Sequence, residues 1–215
     1  MLRPWLPRCA FFFVMLPAVA AAQTGPQPIP RFAADVRVSI PRFKAGPAIA
    51  APLAVTVEDL PTRGLGVVVG AHLYLLRTRA VTFGFGAEIL RGGARRTRPA
   101  AEEGGQEGPT VETRLSAISP QLSFNFGHRD GWSYISGGLG SATLVSEIEV
   151  EGLGAEDPTS KTINYGGGAR WFTTRHLAVS LDLRFYAVSP RTATAASPGY
   201  PRMTVMVFSG GIAFR

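Results

Sequence analysis

Few side chains in this sequence could do chemistry, and they are widely spaced. Glu88 and Asp182 would form a carboxylate pair suited to general acid–base work if the fold brought them together. Arg170 and Arg184 fall on the same kind of alternating face, which favours a structural ion-pair network over a catalytic pair. His72, His128 and His176 have no metal-ligand spacing. The G-x-G fragments at 64–66, 84–86 and 152–154 lack the full dinucleotide pattern between a strand and a helix. No G-x-S-x-G elbow is present, and His176-Leu177-Ala178 lacks the serine of a His-x-Ser pair. The expectation is therefore no catalytic site, no metal, no cofactor and no enzymatic activity.

The residues around that chemistry explain why charge appears at all. In 177–186, Leu177, Val179, Leu181, Leu183 and Phe185 alternate with Ala178, Ser180, Asp182, Arg184 and Tyr186, the two-residue period of a strand with two different faces. Residues 64–76, 79–91, 161–172 and 202–214 repeat the pattern. Leu65, Val67, Val69, Leu73, Phe83, Phe85, Ile89, Ile163, Trp171, Phe208 and Ile212 lie on one face. The opposite face mixes glycine with Glu88, His72, Arg170 and Tyr74. Glycine weakens a strand that meets open water. Inside a narrow barrel it leaves room for a neighbour's long polar side chain. The expected lumen network is Glu88, Arg170, Asp182 and Arg184, with His72 and Tyr186 nearby.

Eight strands are read near 33–40, 64–76, 79–91, 111–126, 131–149, 161–172, 175–188 and 202–214, the first of them marginal in length. Connections alternate between short (77–78, 127–130, 173–174) and long (41–63, 92–110, 150–160, 189–201), which places all tight turns at one rim of an up-and-down barrel. That asymmetry, with the greasy outer face, predicts an all-β fold: an eight-stranded antiparallel up-and-down transmembrane β-barrel over 33–215. Two strands fit less well. In 111–126 the apolar parity switches between Ala117 and Ile118, read as a bulge or a bend at Pro120. In 131–149 it is blurred by Gly137, Gly138 and Gly140.

The start of the chain reads as an export signal. Arg3 and Arg8 precede the apolar run Ala10–Ala22, and Ala20 and Ala22 give a small-residue cleavage pattern before Gln23. Residues 1–22 are thus expected to be removed and 23–32 to form a Pro-rich periplasmic lead-in. Cys9 is the only cysteine, so the mature chain has no disulfide or thiol chemistry. The formal net charge of +7 is dispersed, and with export it does not point to nucleic acid.

Phe126, Trp132, Trp171 and Phe214 gather near the short turns and are expected to mark the periplasmic membrane boundary. The chain ends in MVFSGGIAFR, where Met206, Phe208, Ile212 and Phe214 alternate up to a penultimate aromatic. With the strand and loop pattern, this resembles the small eight-stranded outer-membrane barrels such as the transmembrane domain of OmpA and the OmpX-like proteins. Arg215 departs from their terminal aromatic. The resemblance implies insertion by the barrel-assembly machinery and residence in the bacterial outer membrane.

On this reading the protein is an integral outer-membrane barrel with a filled polar lumen and a structural or surface-interaction role, expected to be monomeric. Its partners would be outer-membrane lipid and lipopolysaccharide. Arg91, Arg95, Arg96 and Arg98, followed by Glu102, Glu103 and Glu107, form a charged loop whose arginines could meet lipopolysaccharide phosphates. Two alternatives remain open: a narrow transporter of small hydrophobic molecules, and a soluble lipocalin-like ligand-binding barrel.

Overall fold

The computed structural model describes residues 27–100, 107–148, 159–192, 199 and 201–215. The expected signal segment and Glu102 and Glu103 lie outside the described residues. Eight strands, β1 (Phe32–Arg42), β2 (Leu65–Arg77), β3 (Thr82–Thr97), β4 (Thr110–His128), β5 (Gly131–Ile148), β6 (Ser160–Phe172), β7 (Leu177–Val188) and β8 (Met203–Phe214), follow one another in chain order. Each pairs antiparallel with its neighbours, and β1 pairs with β8, closing the barrel. Closure removes the sheet edges, so every strand has a partner on both sides.

The turns at 78–81, 129–130 and 173–176 sit with the start of β1 and the end of β8, here called the terminal rim. The ends of β1, β3, β5 and β7 and the starts of β2, β4, β6 and β8 gather at the opposite rim, here called the loop rim. At the β4–β5 turn Gly127 has φ +134°, where a side chain is strained whatever the space.

Alternation sets the facing. Val36, Val38, Val69, Leu73, Phe85, Ile89, Leu122, Ile135, Leu139, Tyr165, Val179, Leu181, Leu183 and Ile212 all point outward, with Leu139 70% exposed. On β4 the apolar outward positions run from Ile118 to Phe126. About nine residues at roughly 3.4 Å, tilted by about 40°, give a band ~22 Å high, close to the height of a membrane-barrel belt. A soluble lipocalin-like barrel would carry its apolar residues inside, and the exterior here is the reverse.

Several local expectations are corrected. β1 is a full strand rather than a marginal one, and β7 begins at Leu177, leaving His176 in the turn. β4 contains no bulge: its odd residues from Val111 to Asn125 all point inward and its register with β3 is unbroken. The apolar residues change face because the lumen changes chemistry. Val111, Leu115 and Ala117 line an apolar upper part, whereas Ser119, Gln121, Ser123 and Asn125 line a polar lower part. The glycines of β5 are explained by close approach of β4. A Cβ on Gly138 would stand 1.9 Å from the Pro120 carbonyl oxygen, and one on Gly140 2.2 Å from that of Ile118.

Candidate functional site

The inward faces build three stacked layers. The middle layer is ionic. From β1, Arg37 forms ion pairs with three carboxylates: its Nε lies 2.8 Å from Asp35 Oδ1, it contacts Glu88 of β3, and its Nη1 lies 3.3 Å from Asp182 Oδ1 of β7. Arg184 reaches Glu88 Oε2 at 3.0 Å and Asp182 Oδ2 at 3.1 Å. Arg170 of β6 donates to Asp35 Oδ2 at 2.5 Å, and its guanidinium lies 4.5 Å from the centre of the Tyr134 ring. Tyr134 Oη donates to Asp182 Oδ2 at 2.9 Å. Arg184 also donates to Gln121, Asn164 and Ser136 at 2.8, 3.0 and 2.8 Å. His72 Nε2 lies 3.9 Å from Asp35 Oδ2.

Three carboxylates (Asp35, Glu88, Asp182) thus face three guanidiniums (Arg37, Arg170, Arg184), all buried. Buried ions persist only when paired and hydrogen-bonded in this way. Space for such long side chains comes from glycines: a Cβ on Gly86 would meet His72 Nδ1 at 2.4 Å, and one on Gly168 the Tyr134 hydroxyl at 2.7 Å. Glu88 and Asp182 therefore do meet, but with Arg37 and Arg184 between them. Each carboxylate lies within 4 Å of two guanidiniums, and these ion pairs tie β1, β3, β6 and β7 to one another. Among the described residues no three His, Cys, Asp or Glu side chains gather as a metal site.

The upper layer, towards the loop rim, is apolar. Val68, Leu90, Val111, Leu115, Leu144, Val188, Met203, Val205 and Val207 enclose Phe43, Ile49, Ala50 and Leu60 from the segment between β1 and β2. That segment turns inward through one helical turn, Pro47–Ala50. Its far end is fastened outside the lumen: Arg98 donates from Nε to Asp59 Oδ1 at 2.8 Å and also contacts Oδ2. Asp59 accepts from Thr56 N and Oγ1, both at 2.8 Å. The Arg98 guanidinium first, and then Thr56, hold the Asp59 carboxyl well below the ordinary carboxylate range despite its burial.

The lower layer closes the terminal rim. Ile29, from the lead-in, is buried with Ala33, Tyr74, Trp132 and Tyr134. Trp132 stacks on Phe172 with ring centres 5.2 Å apart and meets Tyr74 edge-on at 5.8 Å. Both mouths are therefore stoppered by the chain itself.

These placements revise parts of the sequence reading. Tyr186 is buried in the lumen near Glu88 and Arg184, and it also packs into the apolar upper layer. Trp132, expected at the membrane boundary, is only 3% exposed and faces the lumen, whereas Phe126, Trp171 and Phe214 face outward. β3 extends to Thr97, so Arg91, Arg95 and Arg96 stand on a strand rather than in a loop. Arg95 pairs with Glu112 at 3.3 Å, and Arg98 is committed to Asp59. Asp35 and Arg37 are central and were missed. Their signal is the alternation of Asp35, Arg37 and Ser39 with Val36, Val38 and Ile40.

No protein-family model and no curated protein matches the chain. Solved structures do match. Neisserial surface protein A superposes with a TM-score of 0.53 at 10% identity, covering 86% of this chain and 97% of that one. The N-terminal β-barrel domain of Pseudomonas aeruginosa OprF covers 85% and 96% at 14% identity, with a TM-score of 0.41. Ail of Yersinia pestis, solved with the heparin analogue sucrose octasulfate, covers 86% and 99% in the same sense, at 10% identity and a TM-score of 0.47. The chain has the fold of the small outer-membrane β-barrels. At such identities the shared property is the fold alone, so the contents of this outer-membrane-type barrel, its ionic layer and its two stoppers, have to be interpreted from its own residues.

Proposed function

We propose that the protein is an integral barrel of a bacterial outer membrane, exported through a cleaved signal peptide, with a filled lumen and a structural or surface-interaction role. The observation that carries this reading is the pairing of an apolar exterior with an interior whose ions neutralise one another between two apolar stoppers. The exposed apolar belt suits hydrocarbon, and the buried ion pairs with an apolar cluster on either side support a filled lumen. The terminal rim would face the periplasm and the loop rim the outside. Insertion would depend on the barrel-assembly machinery, and the barrel would work as a monomer.

At the loop rim, Arg91, Arg95, Arg96 and Arg114 stand just above the apolar belt, with Glu112 and Glu147 beside them. Lipopolysaccharide phosphates are the anions found at that depth, and a guanidinium suits them as a bidentate donor. Arg91 and Arg96 are the residues best placed for this contact, since Arg98 is used to fasten the lumen segment.

A second reading, a narrow transporter of small hydrophobic molecules, draws on the apolar upper layer. It requires Phe43, Ile49 and Leu60 to leave the lumen. One experiment separates the two. Protein refolded in vesicles should show heat-modifiable gel mobility and yield no sustained openings in planar bilayers. Failure to partition into membrane would refute the membrane reading, and steady conductance would refute the filled lumen.

A further inference from the structure

The terminal rim carries a feature that neither the lumen network nor the loop rim accounts for. Arg31, Arg77, Arg129, Arg175, His176 and Arg215 surround a recess of about 350 Å³, floored by the lead-in residues Gln27–Pro30. Five guanidiniums within one recess is a strong local excess of positive charge. Among the described residues, the only side-chain carboxylate within 4 Å of these guanidiniums is Asp130, 3.6 Å from Arg215 Nη2 and itself largely exposed, while the Arg215 main-chain oxygen lies 3.1 Å from His176 Nδ1.

The arrangement is fixed rather than loose. The Arg215 side chain is only 5% exposed. It lies over the Phe172 ring at 3.9 Å, donates from Nε to the Arg175 carbonyl at 2.7 Å, and donates from Nη1 to the Arg129 carbonyl. Arg77 donates to the Ile29 carbonyl, and Arg129 to the Gln27 side chain. These bonds consume only some of the five donors that each guanidinium carries, and all five arginines line the recess. Burial first, and the neighbouring Arg129 guanidinium second, hold the Arg215 pKa below its ordinary value. A cation so placed gains from any anion that enters.

The depth of the recess selects the anion. Trp171 and Phe214 face outward immediately above it, so the arginines lie where the belt gives way to headgroups. We propose that this recess binds the phosphate of an anionic phospholipid headgroup in the adjoining membrane leaflet. The proposal rests on the membrane reading above. Arginine binds phosphate in bidentate fashion, and basic pockets at the membrane surface recognise anionic headgroups. Arg31 and Arg175 are exposed and supply the outer wall, while Arg215 and Arg129 supply the rigid inner wall.

The test is native mass spectrometry of the folded, detergent-held full barrel, presented with phosphatidylglycerol or phosphatidylcholine. The unaltered chain should retain phosphatidylglycerol in preference. R31Q/R175Q should lower that retention by roughly tenfold or more, because each arginine near an anionic surface contributes substantially. R63Q/R202Q, with the same loss of charge from two exposed positions at the opposite rim, should leave it unchanged. Equal retention of both lipids, or an equal loss in both variants, would overturn the proposal. Glycerol 3-phosphate that binds the delipidated barrel and displaces phosphatidylglycerol one for one would assign the recess to free phosphate instead, and overturn the lipid source. Insertion into phosphatidylcholine vesicles, read by gel mobility, is the separate arm. A barrel that inserts but shows no lipid preference retains the membrane reading and loses this one, whereas a chain that inserts nowhere loses both.

Discussion

Arg98 and Asp59 meet across the loop rim, and their two-point contact fastens the segment that fills the upper lumen: the guanidinium Nε lies 2.8 Å from Asp59 Oδ1. Asp59 also caps its own turn through Thr56, so one carboxylate both shapes the segment and anchors it.

Replacing Arg98 with alanine should loosen residues 43–62 without opening the barrel. Cleavage there by added protease, on intact vesicles, is expected to rise roughly two- to fivefold, the scale of one partly exposed ion pair. The pH dependence has a definite sign. A carboxyl held below its ordinary value of 3.8 stabilises fully above that value and loses the effect as pH falls towards its lowered one. Protection should thus be flat from neutral pH to about 4 and decline below it. In Asp59→Asn the decline should vanish.

The ionic layer makes a prediction about pairs. Glu88→Gln leaves Arg37 and Arg184 with one carboxylate fewer and gives the lumen an uncompensated positive charge; breaking a buried pair from one side costs about 3–5 kcal/mol. The double variant Arg37→Gln/Glu88→Gln restores neutrality. Its urea-unfolding loss in vesicles should be smaller than the sum of the two single losses by about 1 kcal/mol or more. Strict additivity would mean that the network is not coupled.

Facing is tested on β7. Leu181→Arg places a guanidinium in the belt, at a cost of roughly 2–4 kcal/mol near its middle, while Ser180→Ala alters an inward residue of similar size. Folding yield in lipid vesicles should fall sharply for the first and barely for the second. Equal yields would contradict the assigned polarity.

The pinch between β4 and β5 predicts strong intolerance at one glycine. Gly138→Ala forces a methyl group into the Pro120 carbonyl and should lower the unfolding midpoint by an amount equivalent to about 1–3 kcal/mol. Gly46→Ala meets nothing within 4 Å and should be silent in the same assay.

Most of the fold could be read from the sequence because a two-faced strand writes its facing into every second residue. Strand number, order and the sorting of loops followed from that alone. The reading weakened wherever both faces became apolar. Val111, Leu115 and Ala117 looked like a change of register, because nothing local says that Phe43, Ile49 and Leu60 return to cover them. Trp132 was misplaced for a related reason. An aromatic beside a turn can anchor in the interface or stopper a mouth, and only Ile29 and Phe172 decide between them. Asp35 and Arg37 are legible in the sequence, since they alternate with Val36, Val38 and Ile40. Arg98 could not be assigned from sequence, since its partner lies 39 residues away in an irregular segment.

The ion pairs also bear on how the barrel comes together. Arg37 of β1 finds Glu88 on β3 and Asp182 on β7, and Asp35 finds Arg170, 135 positions along the chain. None of these contacts is local, and β1 meets β8 only when the last strand arrives. A half-zipped sheet would hold stranded ions beside hydrocarbon, so partly assembled forms are penalised and the cylinder should snap shut as a single cooperative event.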